Sequence, residues 1–259
     1  MLNIEEILKQ FPPHLQKFRR GALREYLQYK ILESIFRSKY ANQLVFLGGT
    51  ALRIIYNNNR FSEDLDFDNL GINENDFANL GLCIKKDLEQ EGYKIEIKNV
   101  YKGAYHCYIK IPDILFQNNI SPLKEEKILI QVDTVPQNFD YQPEQKILNK
   151  FDVFTQINVT PKDLLLSQKF FAAFDRKRPK GRDFYDIVFL LSLGANPNYA
   201  YLEKNLNLKT GAELKKYVLE KSQTLNFAQL AQDVSNFLFY SKDSEKILLF
   251  KEFIETREF

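Results

Sequence analysis

The sequence contains no tryptophan, one methionine, two histidines and two cysteines. Cys83 and Cys107 lie in separate segments, without the CxxC or Cys/His spacing of zinc sites, so we expect neither a zinc site nor a disulfide framework. His14 and His106 are isolated from each other, and neither occurs with a serine or cysteine in a triad-like context. Nucleophilic catalysis is therefore not indicated, and both histidines are predicted to be structural.

Long apolar runs are also absent. No segment reaches the roughly 18 apolar residues of a membrane span, and the N-terminal segment MLNIEEILKQ carries acids where a signal peptide needs basic residues and an apolar run. We therefore expect a cytoplasmic protein with no membrane partner. The formal net charge is only +2, so any contact with nucleic acid must come from local clusters of Lys and Arg.

The residues that are present suit a globular protein, because 44% hydrophobic and 14% aromatic content can fill a substantial core. Apolar periodicity predicts helices and strands in a mixed order. Helices are expected at 22–40, 50–56, 75–90, 161–175, 182–193 and in shorter pieces beyond, and strands at 44–47, from about 64, and at about 93–100, 104–111 and 126–135.

This order predicts two domains. Residues 1–150 carry N-terminal helices and a mixed sheet, whereas residues 151–259 are almost entirely helical. We therefore expect an α+β fold in which a sheet-containing domain is followed by a C-terminal helical domain.

The first candidate site is the segment FLGGTALRIIY, where a strand ends in Gly48 and Gly49. Glycines let the backbone approach a ligand closely, and the helix that follows offers free N–H groups and a positive dipole end to phosphate. Thr50 can add a hydroxyl donor. A simple tight turn has the same pattern, so this segment alone does not establish a phosphate site.

The second candidate is SEDLDFD, in which Asp64 and Asp66 are two residues apart in a predicted strand. Such residues project from the same face, while Leu65 and Phe67 point into the core. Two adjacent carboxylates repel each other unless a cation neutralises them, and Mg²⁺ binds one or two carboxylates together with substrate phosphates. The alternative is a solvated acidic strand end.

A third carboxylate is expected on a neighbouring strand, and KILIQVDTVP supplies Asp133 at the end of the strongest β-run. Ile130 and Val132 would face the core, leaving Gln131 and Asp133 on the site face. Asp133 could bind a second ion that activates the attacking hydroxyl, or accept its proton. An exposed aspartate at a strand end would look the same.

The fourth candidate is a helix that places Lys169 among apolar residues, where a lysine needs an anionic partner. A triphosphate or Asp186 on the next helix could be that partner. The intervening loop is basic, and functional contact is favoured for Arg182 because it opens the next helix. Five cations lie in this loop, namely Arg176, Lys177, Arg178, Lys180 and Arg182.

Together these segments resemble the nucleotidyltransferases of the AbiEii/AbiGii toxin family, within the DNA polymerase β-like superfamily. The most specific match is LGGTALRIIYNNNRFSEDLDFD, and the second is QKFFAAFDRKRPKGRDFYDIVFLL. The resemblance spans roughly residues 20 to 195. It implies a polymerase β-like nucleotidyltransferase domain with a mixed sheet, followed by a helical domain that completes the nucleotide site.

The resemblance also implies roles for individual residues. Catalytic roles would fall to Asp64, Asp66, Asp133, Lys169 and Asp186, with Asp64, Asp66 and Asp133 on Mg²⁺. Nucleotide binding would involve Gly48, Gly49, Thr50, Arg60, Ser62, Lys169, Arg182 and Asp183. Asp133 is a looser match, because the family strand often bears Glu after a basic residue.

The implied reaction moves NMP from an NTP to an acceptor hydroxyl and releases pyrophosphate. Members of this family act as toxins of toxin–antitoxin or abortive-infection systems, and some modify the acceptor end of tRNA, so an RNA acceptor and a cognate antitoxin are expected partners. Two alternatives stay open: a nucleotidyltransferase for a small, aminoglycoside-like molecule, and a non-catalytic module that binds an antitoxin or nucleic acid.

Overall fold

The computed structural model describes residues 2–259 and divides them into two compact units. The first unit contains the residues up to Tyr56 together with Ser62–Val159. The second contains Asn57–Phe61 and Thr160–Phe259. The short segment Asn57–Phe61 belongs to the second unit because its backbone pairs there: the Phe61 N–H donates to Phe237 O at 3.0 Å, and Phe239 N–H donates to Asn59 O at 3.2 Å.

The first unit contains a sheet, five helices and two short 3₁₀ turns at Pro13–Leu15 and Ala41–Gln43. In chain order its elements are α1 (Ile4–Lys9), α2 (Arg19–Arg37), β1 (Leu44–Leu47), α3 (Gly48–Tyr56), β2 (Leu65–Asn69), α4 (Glu74–Gln90), β3 (Glu96–Lys102), β4 (Ala104–Ile111), α5 (Ile114–Gln117), β5 (Ile128–Val135), β6 (Glu144–Lys150) and β7 (Val153–Val159).

The strands of this unit form one mixed sheet in the order β3-β4-β5-β2-β1-β7-β6. β2 lies at its centre, antiparallel to β1 and parallel to β5. The outer pairs β3–β4, β4–β5 and β6–β7 are antiparallel, whereas β1 runs parallel to β7. The expected α+β fold with a mixed sheet is confirmed.

The core of the first unit lies on one face of this sheet, under α2. The predicted apolar stripe of α2, Leu23, Leu27, Ile31 and Ile35, is buried throughout. The rings of Phe46 on β1 and Phe67 on β2 lie 5.4 Å apart between their centroids. Burial of these side chains fixes the register of β2, because a slip by one residue would turn its aspartates into the core.

The second unit is helical. Beyond a 3₁₀ turn at Ser241–Ser244, its elements are α6 (Lys162–Asp175), α7 (Gly181–Ser192), α8 (Tyr199–Leu206), α9 (Gly211–Ser222), α10 (Phe227–Ser235), α11 (Glu245–Leu248) and α12 (Phe250–Glu255). Its core is aromatic: the Phe184 ring contacts Phe174, Phe227 and Phe250 in edge-to-face geometry at 5.1–5.6 Å.

Two features differ from the sequence-based expectation. α3 begins at Gly48 rather than Thr50, so no loop separates it from β1. β6 and β7 follow the Pro136–Pro143 segment, where no strands were predicted. In the tight connection between β6 and β7, Phe151 has a φ of 60°. Glycine or asparagine usually takes this conformation, so a phenylalanine there does not indicate a turn in the sequence.

Among residues 2–259, none of the helices combines the length and apolar character that crossing a bilayer requires.

Candidate active site

The glycine turn at the end of β1 brings the chain against Asp66. Gly48 has a φ of +81°, in the region that side chains rarely adopt. A Cβ atom on this residue would overlap the Oδ2 atom of Asp66. Glycine is therefore required at position 48 both by the backbone conformation and by the closeness of the carboxylate.

Thr50 lies in the first turn of α3 and is fully buried. Its hydroxyl donates a hydrogen bond to the backbone carbonyl of Asp64. The Thr50 hydroxyl, which was expected to donate a hydrogen bond to phosphate, thus links α3 to the residue before β2 in this structure. The N–H groups of the first turn of α3, including that of Gly49, have no acceptor within the helix, so they retain the capacity to bind an anion.

The predicted alternation of the aspartate strand is present. Leu65 and Phe67 are buried at 0% and 1% exposure, whereas Asp66 between them is half-buried on the opposite face. Asp64, also half-buried, lies immediately before the strand. Asp66 lies across from Leu47 of β1 and from Asp133 of β5. β2 therefore presents the Asp66 carboxylate beside the glycine turn and beside the third predicted aspartate.

The segment that precedes β2 is held by α2. Gln28 donates from its amide nitrogen to the carbonyl oxygens of Ser62, at 3.0 Å, and Glu63, at 2.9 Å, and Arg24 forms an ion pair with Glu63. Gln28 is buried, so these bonds are shielded from water. These bonds hold the backbone of the segment that leads into β2.

Asp133 is bound by two neighbours on the sheet. Gln131 donates from its amide nitrogen to both carboxylate oxygens at 2.8 Å, and His106 Nδ1 lies 2.8 Å from Asp133 Oδ1. His106 is the cross-strand partner of Asp133 on β4. His106 is predicted to be structural, and the pairing of β4 with β5, which local sequence pattern does not reveal, brings it to this carboxylate.

Within residues 2–259, no group of three or more His, Cys, Asp or Glu side chains is arranged to hold a metal ion. The three predicted ligands thus do not converge as a closed cage. Asp64 and Asp66 supply the hard oxygen donors that Mg²⁺ prefers, and the absence of a side chain on Gly48 makes room for the Asp66 carboxylate itself. This donor set fits a Mg²⁺ site that phosphate oxygens would complete.

Asp68, the next acid along β2, forms hydrogen bonds that stabilise the structure around the site. Its carboxylate accepts hydrogen bonds from the Gln137 N–H at 2.8 Å and from the Tyr141 hydroxyl at 2.9 Å. Burial raises the pKa of Asp68 above its usual range even though these two bonds favour the ionised form. The bonds tie the segment after β5 to β2.

In the second unit, Asp186 lies at the centre of a buried charge cluster. It accepts two bonds from Arg60, from Nε at 2.8 Å and from Nη2 at 2.7 Å, and one from Asn58 at 2.8 Å. Lys169 Nζ lies 2.8 Å from Asp186 and 3.0 Å from Asp183. The anionic partner expected for Lys169 is thus present within the chain.

Burial and charge act in opposite directions on this cluster. Burial alone would raise the pKa of Asp186, but the positive charges of Arg60 and Lys169 outweigh it and lower the pKa to about 2. Burial would likewise lower the pKa of Lys169, and Asp186 with Asp183 holds it above its usual range. Asp186, Arg60 and Lys169 therefore remain charged at neutral pH.

The cations predicted to bind the nucleotide differ in their contacts within the second unit. Arg60, expected at the nucleotide, is 1% exposed and forms an ion pair with Asp186. Arg176 forms an ion pair with Asp183 at 3.2 Å. Arg182 is half-exposed at the start of α7, and among the described residues it forms no ion pair.

Residues 30–247 match the model of the family described as nucleotidyl transferase AbiEii toxin of the type IV toxin–antitoxin system. No curated protein sequence matches the chain.

Two solved structures share the fold. The crystal structure of JHP933 from Helicobacter pylori has a TM-score of 0.57 and 18% sequence identity, covering 91% of this chain and 90% of that one. A second H. pylori structure, described as a candidate nucleotidyltransferase, has a TM-score of 0.55 and 18% identity, covering 93% of this chain and 98% of that one.

Proposed function

Since this chain belongs to the AbiEii family of nucleotidyltransferase toxins of type IV toxin–antitoxin systems, we propose that it transfers NMP from an NTP to a hydroxyl of RNA, such as the acceptor end of tRNA. The reaction would depend on Mg²⁺ held by Asp64 and Asp66. The observation that carries this proposal is the placement of Asp66 between the glycine turn and Asp133 on one face of the sheet.

The glycine turn is proposed to bind the triphosphate. The backbone of Gly48 and Gly49 offers N–H groups at the beginning of α3, where the helix dipole favours an anion. Thr50 supports this role indirectly, since its bond to the Asp64 carbonyl keeps the helix start and the aspartate strand in one arrangement.

Asp64 and Asp66 are proposed to hold the metal together with the phosphates. When bound, Mg²⁺ would neutralise charge that develops on the phosphoryl oxygens and orient the triphosphate for in-line attack. Burial of Leu65 and Phe67 on either side of Asp66 supports this role, because it would hold the Asp66 carboxylate in a fixed position.

Asp133 is proposed to accept the proton of the attacking hydroxyl. The acceptor oxygen would form a bond to the α-phosphorus as the bond to pyrophosphate breaks, and the hydroxyl proton would pass to the Asp133 carboxylate. Gln131 and His106 keep that carboxylate oriented. His106 thus acts through Asp133, as a positioning residue.

The charge cluster of the second unit is proposed to have a supporting role. Lys169 forms ion pairs with both Asp183 and Asp186 and so joins α6 to α7. Arg182 retains an available charge and is proposed to contact the phosphates of the substrate. The family also implies a cognate antitoxin, and a reaction on NTPs and tRNA would take place in the cytoplasm.

The proposal is tested by incubating the protein with each α-labelled NTP, Mg²⁺ and one of three acceptors: total tRNA, an aminoglycoside or no added acceptor. Label that enters tRNA in the wild type, and not in an Asp66→Asn variant, supports it. Label that enters only the aminoglycoside would overturn the RNA acceptor. Absence of any NTP turnover with every acceptor would overturn the activity itself.

A further inference from the structure

One face of the β3–β4–β5 sheet continues directly from the proposed proton acceptor. Asp133 of β5 lies opposite His106 of β4, and the next outward position pairs Gln131 with Tyr108. Tyr108 in turn lies opposite Lys98 of β3. We call the exposed side formed by Lys98, Lys102, His106, Tyr108 and Lys110 the basic face.

The opposite side of the same strands is the packed one. The ring of Phe77 on α4 contacts Tyr101 of β3 and Tyr105 of β4, at 6.5 Å and 5.6 Å between centroids. Cys107 is buried beneath the same helix, next to Gly81. Because side chains alternate along a strand, the members of the basic face point away from α4.

The basic face carries unbalanced positive charge. Lys98, Lys102 and Lys110 are exposed, and within the described part of the chain none of them forms an ion pair. The acid at the far end of β3, Glu96, is bound by Lys127 at 2.7 Å. Three exposed lysines without ion-pair partners, on the face that also carries the proposed proton acceptor, favour an anionic ligand, although the whole chain is nearly neutral.

The same face carries two rings. His106 and Tyr108 lie side by side on β4, with ring centroids 6.3 Å apart and planes inclined by 33°. Both are half-exposed. Rings interleaved with lysines on an open sheet are suited to unstacked bases, because a base stacks on the ring while its phosphate meets a lysine.

We propose that the basic face binds the single-stranded end of an RNA acceptor, with a base stacked on Tyr108 and phosphates at Lys98 and Lys110. This inference rests on the proposed nucleotide transfer and specifies where its acceptor binds. A strand that crosses Tyr108 towards His106 reaches Asp133 after about two residues of sheet, roughly 7 Å. Its terminal hydroxyl would thereby arrive at the proposed proton acceptor.

Direct binding tests this assignment without any need for catalysis. Fluorescence anisotropy would measure the affinity of the full chain for a labelled 12-nucleotide single-stranded RNA, in the absence of NTP. Tyr108→Ala is expected to weaken binding about tenfold, whereas Tyr108→Phe keeps the stacking surface and the affinity. The double variant Lys98→Ala/Lys110→Ala is expected to reduce the slope of log affinity against log salt by about 1.4, roughly 0.7 for each lost phosphate contact.

A matched control is the double variant Lys39→Ala/Lys86→Ala, which removes two exposed lysines outside the basic face. The control is expected to keep the wild-type salt slope. An equal loss of slope in both double variants, or unchanged affinity in Tyr108→Ala, would overturn the basic face as the RNA site.

The same variants separate this inference from the proposed function. If transfer depends on Asp66 but not on Tyr108 or the two lysines, nucleotide transfer stands and the acceptor site is wrong. If RNA binding depends on Tyr108 and no nucleotide is transferred, the basic face stands and the proposed function is wrong. Equal binding of duplex and single-stranded RNA would contradict stacking on Tyr108.

Discussion

The carboxylate of Asp66 occupies the space that a side chain on Gly48 would need. This relationship joins the two segments that the sequence singles out, since the glycine turn and the aspartate strand have to be in contact for it to exist. It gives Gly48 a role in positioning the carboxylate as well as in shaping the turn.

Gly48→Ala is therefore predicted to damage both the fold and the site. The positive φ and the overlap with Asp66 would together cost about 1–3 kcal/mol of unfolding free energy. Displacement of the carboxylate would also lower the transfer rate. Urea denaturation and single-turnover kinetics measure the two effects.

Gly103→Ala is the matched control for that variant. Gly103 has a similar φ of +75°, but a Cβ there would meet no atom within 4 Å. The unfolding free energy of this control is expected to fall only by the amount that backbone strain costs, and its transfer rate is expected to equal that of the wild type. If Gly48→Ala were as active as Gly103→Ala, the contact with Asp66 would be irrelevant to the chemistry.

Asp133 and His106 are predicted to differ in effect. Asp133→Asn should lower the transfer rate by roughly 10²–10⁴-fold, the usual contribution of a general base. His106→Asn should lower it by less than about tenfold, because Gln131 still donates to both oxygens of Asp133. Single-turnover rates at saturating NTP make the comparison, and equal losses would show that Asp133 does not accept the proton.

The buried cluster around Asp186 is predicted to control stability. Asp186→Asn leaves Arg60 buried without a counter-charge and should cost about 3–5 kcal/mol. Replacing both partners, as in Arg60→Met/Asp186→Leu, should recover most of that loss because no unpaired charge remains. Chemical denaturation of both variants checks this, and a double variant no more stable than the single one would contradict it.

The same cluster predicts how stability depends on pH. The pKa of Asp186 is lowered to about 2 in the folded protein, from an ordinary value of 3.8. The stabilisation from ionised Asp186, on the order of 2 kcal/mol, is therefore present above about pH 4 and lost as the pH falls towards 2.

Urea denaturation between pH 5 and pH 2.5 measures this loss. The Arg60→Met/Asp186→Leu variant lacks the titrating group and should lose less stability over that range than the wild type. Parallel curves for the two proteins would show that Asp186 is not the group responsible.

The sequence predicts well those elements whose buried and exposed faces follow from the pattern of residues adjacent in sequence. The alternation of Leu65, Asp66 and Phe67 marks which side of β2 is buried, and the stripe on α2 marks its core face. The family resemblance, confirmed by the match over residues 30–247, adds the fold and the nucleotidyltransferase activity.

The elements that sequence does not predict depend on distant partners. Arg60 and Asp186 are 126 positions apart, and the antiparallel bridge of Arg60 with Leu238 is one of the contacts that join Arg60 to the second unit. His106 reaches Asp133 through the register of β4 on β5. Local periodicity carries no information about such pairings, so it predicts neither the contact of Arg60 with Asp186 nor that of His106 with Asp133.

The proposed central role of Asp66 is tested most directly by the rate of NMP transfer to tRNA in Asp66→Asn, measured across a Mg²⁺ titration. The control is Glu125→Gln, which makes the same carboxylate-to-amide change at an exposed position before β5. Loss of transfer in Asp66→Asn at every Mg²⁺ concentration, with an unchanged unfolding midpoint and full activity in Glu125→Gln, is the predicted result. Transfer by Asp66→Asn at the wild-type rate would contradict the account.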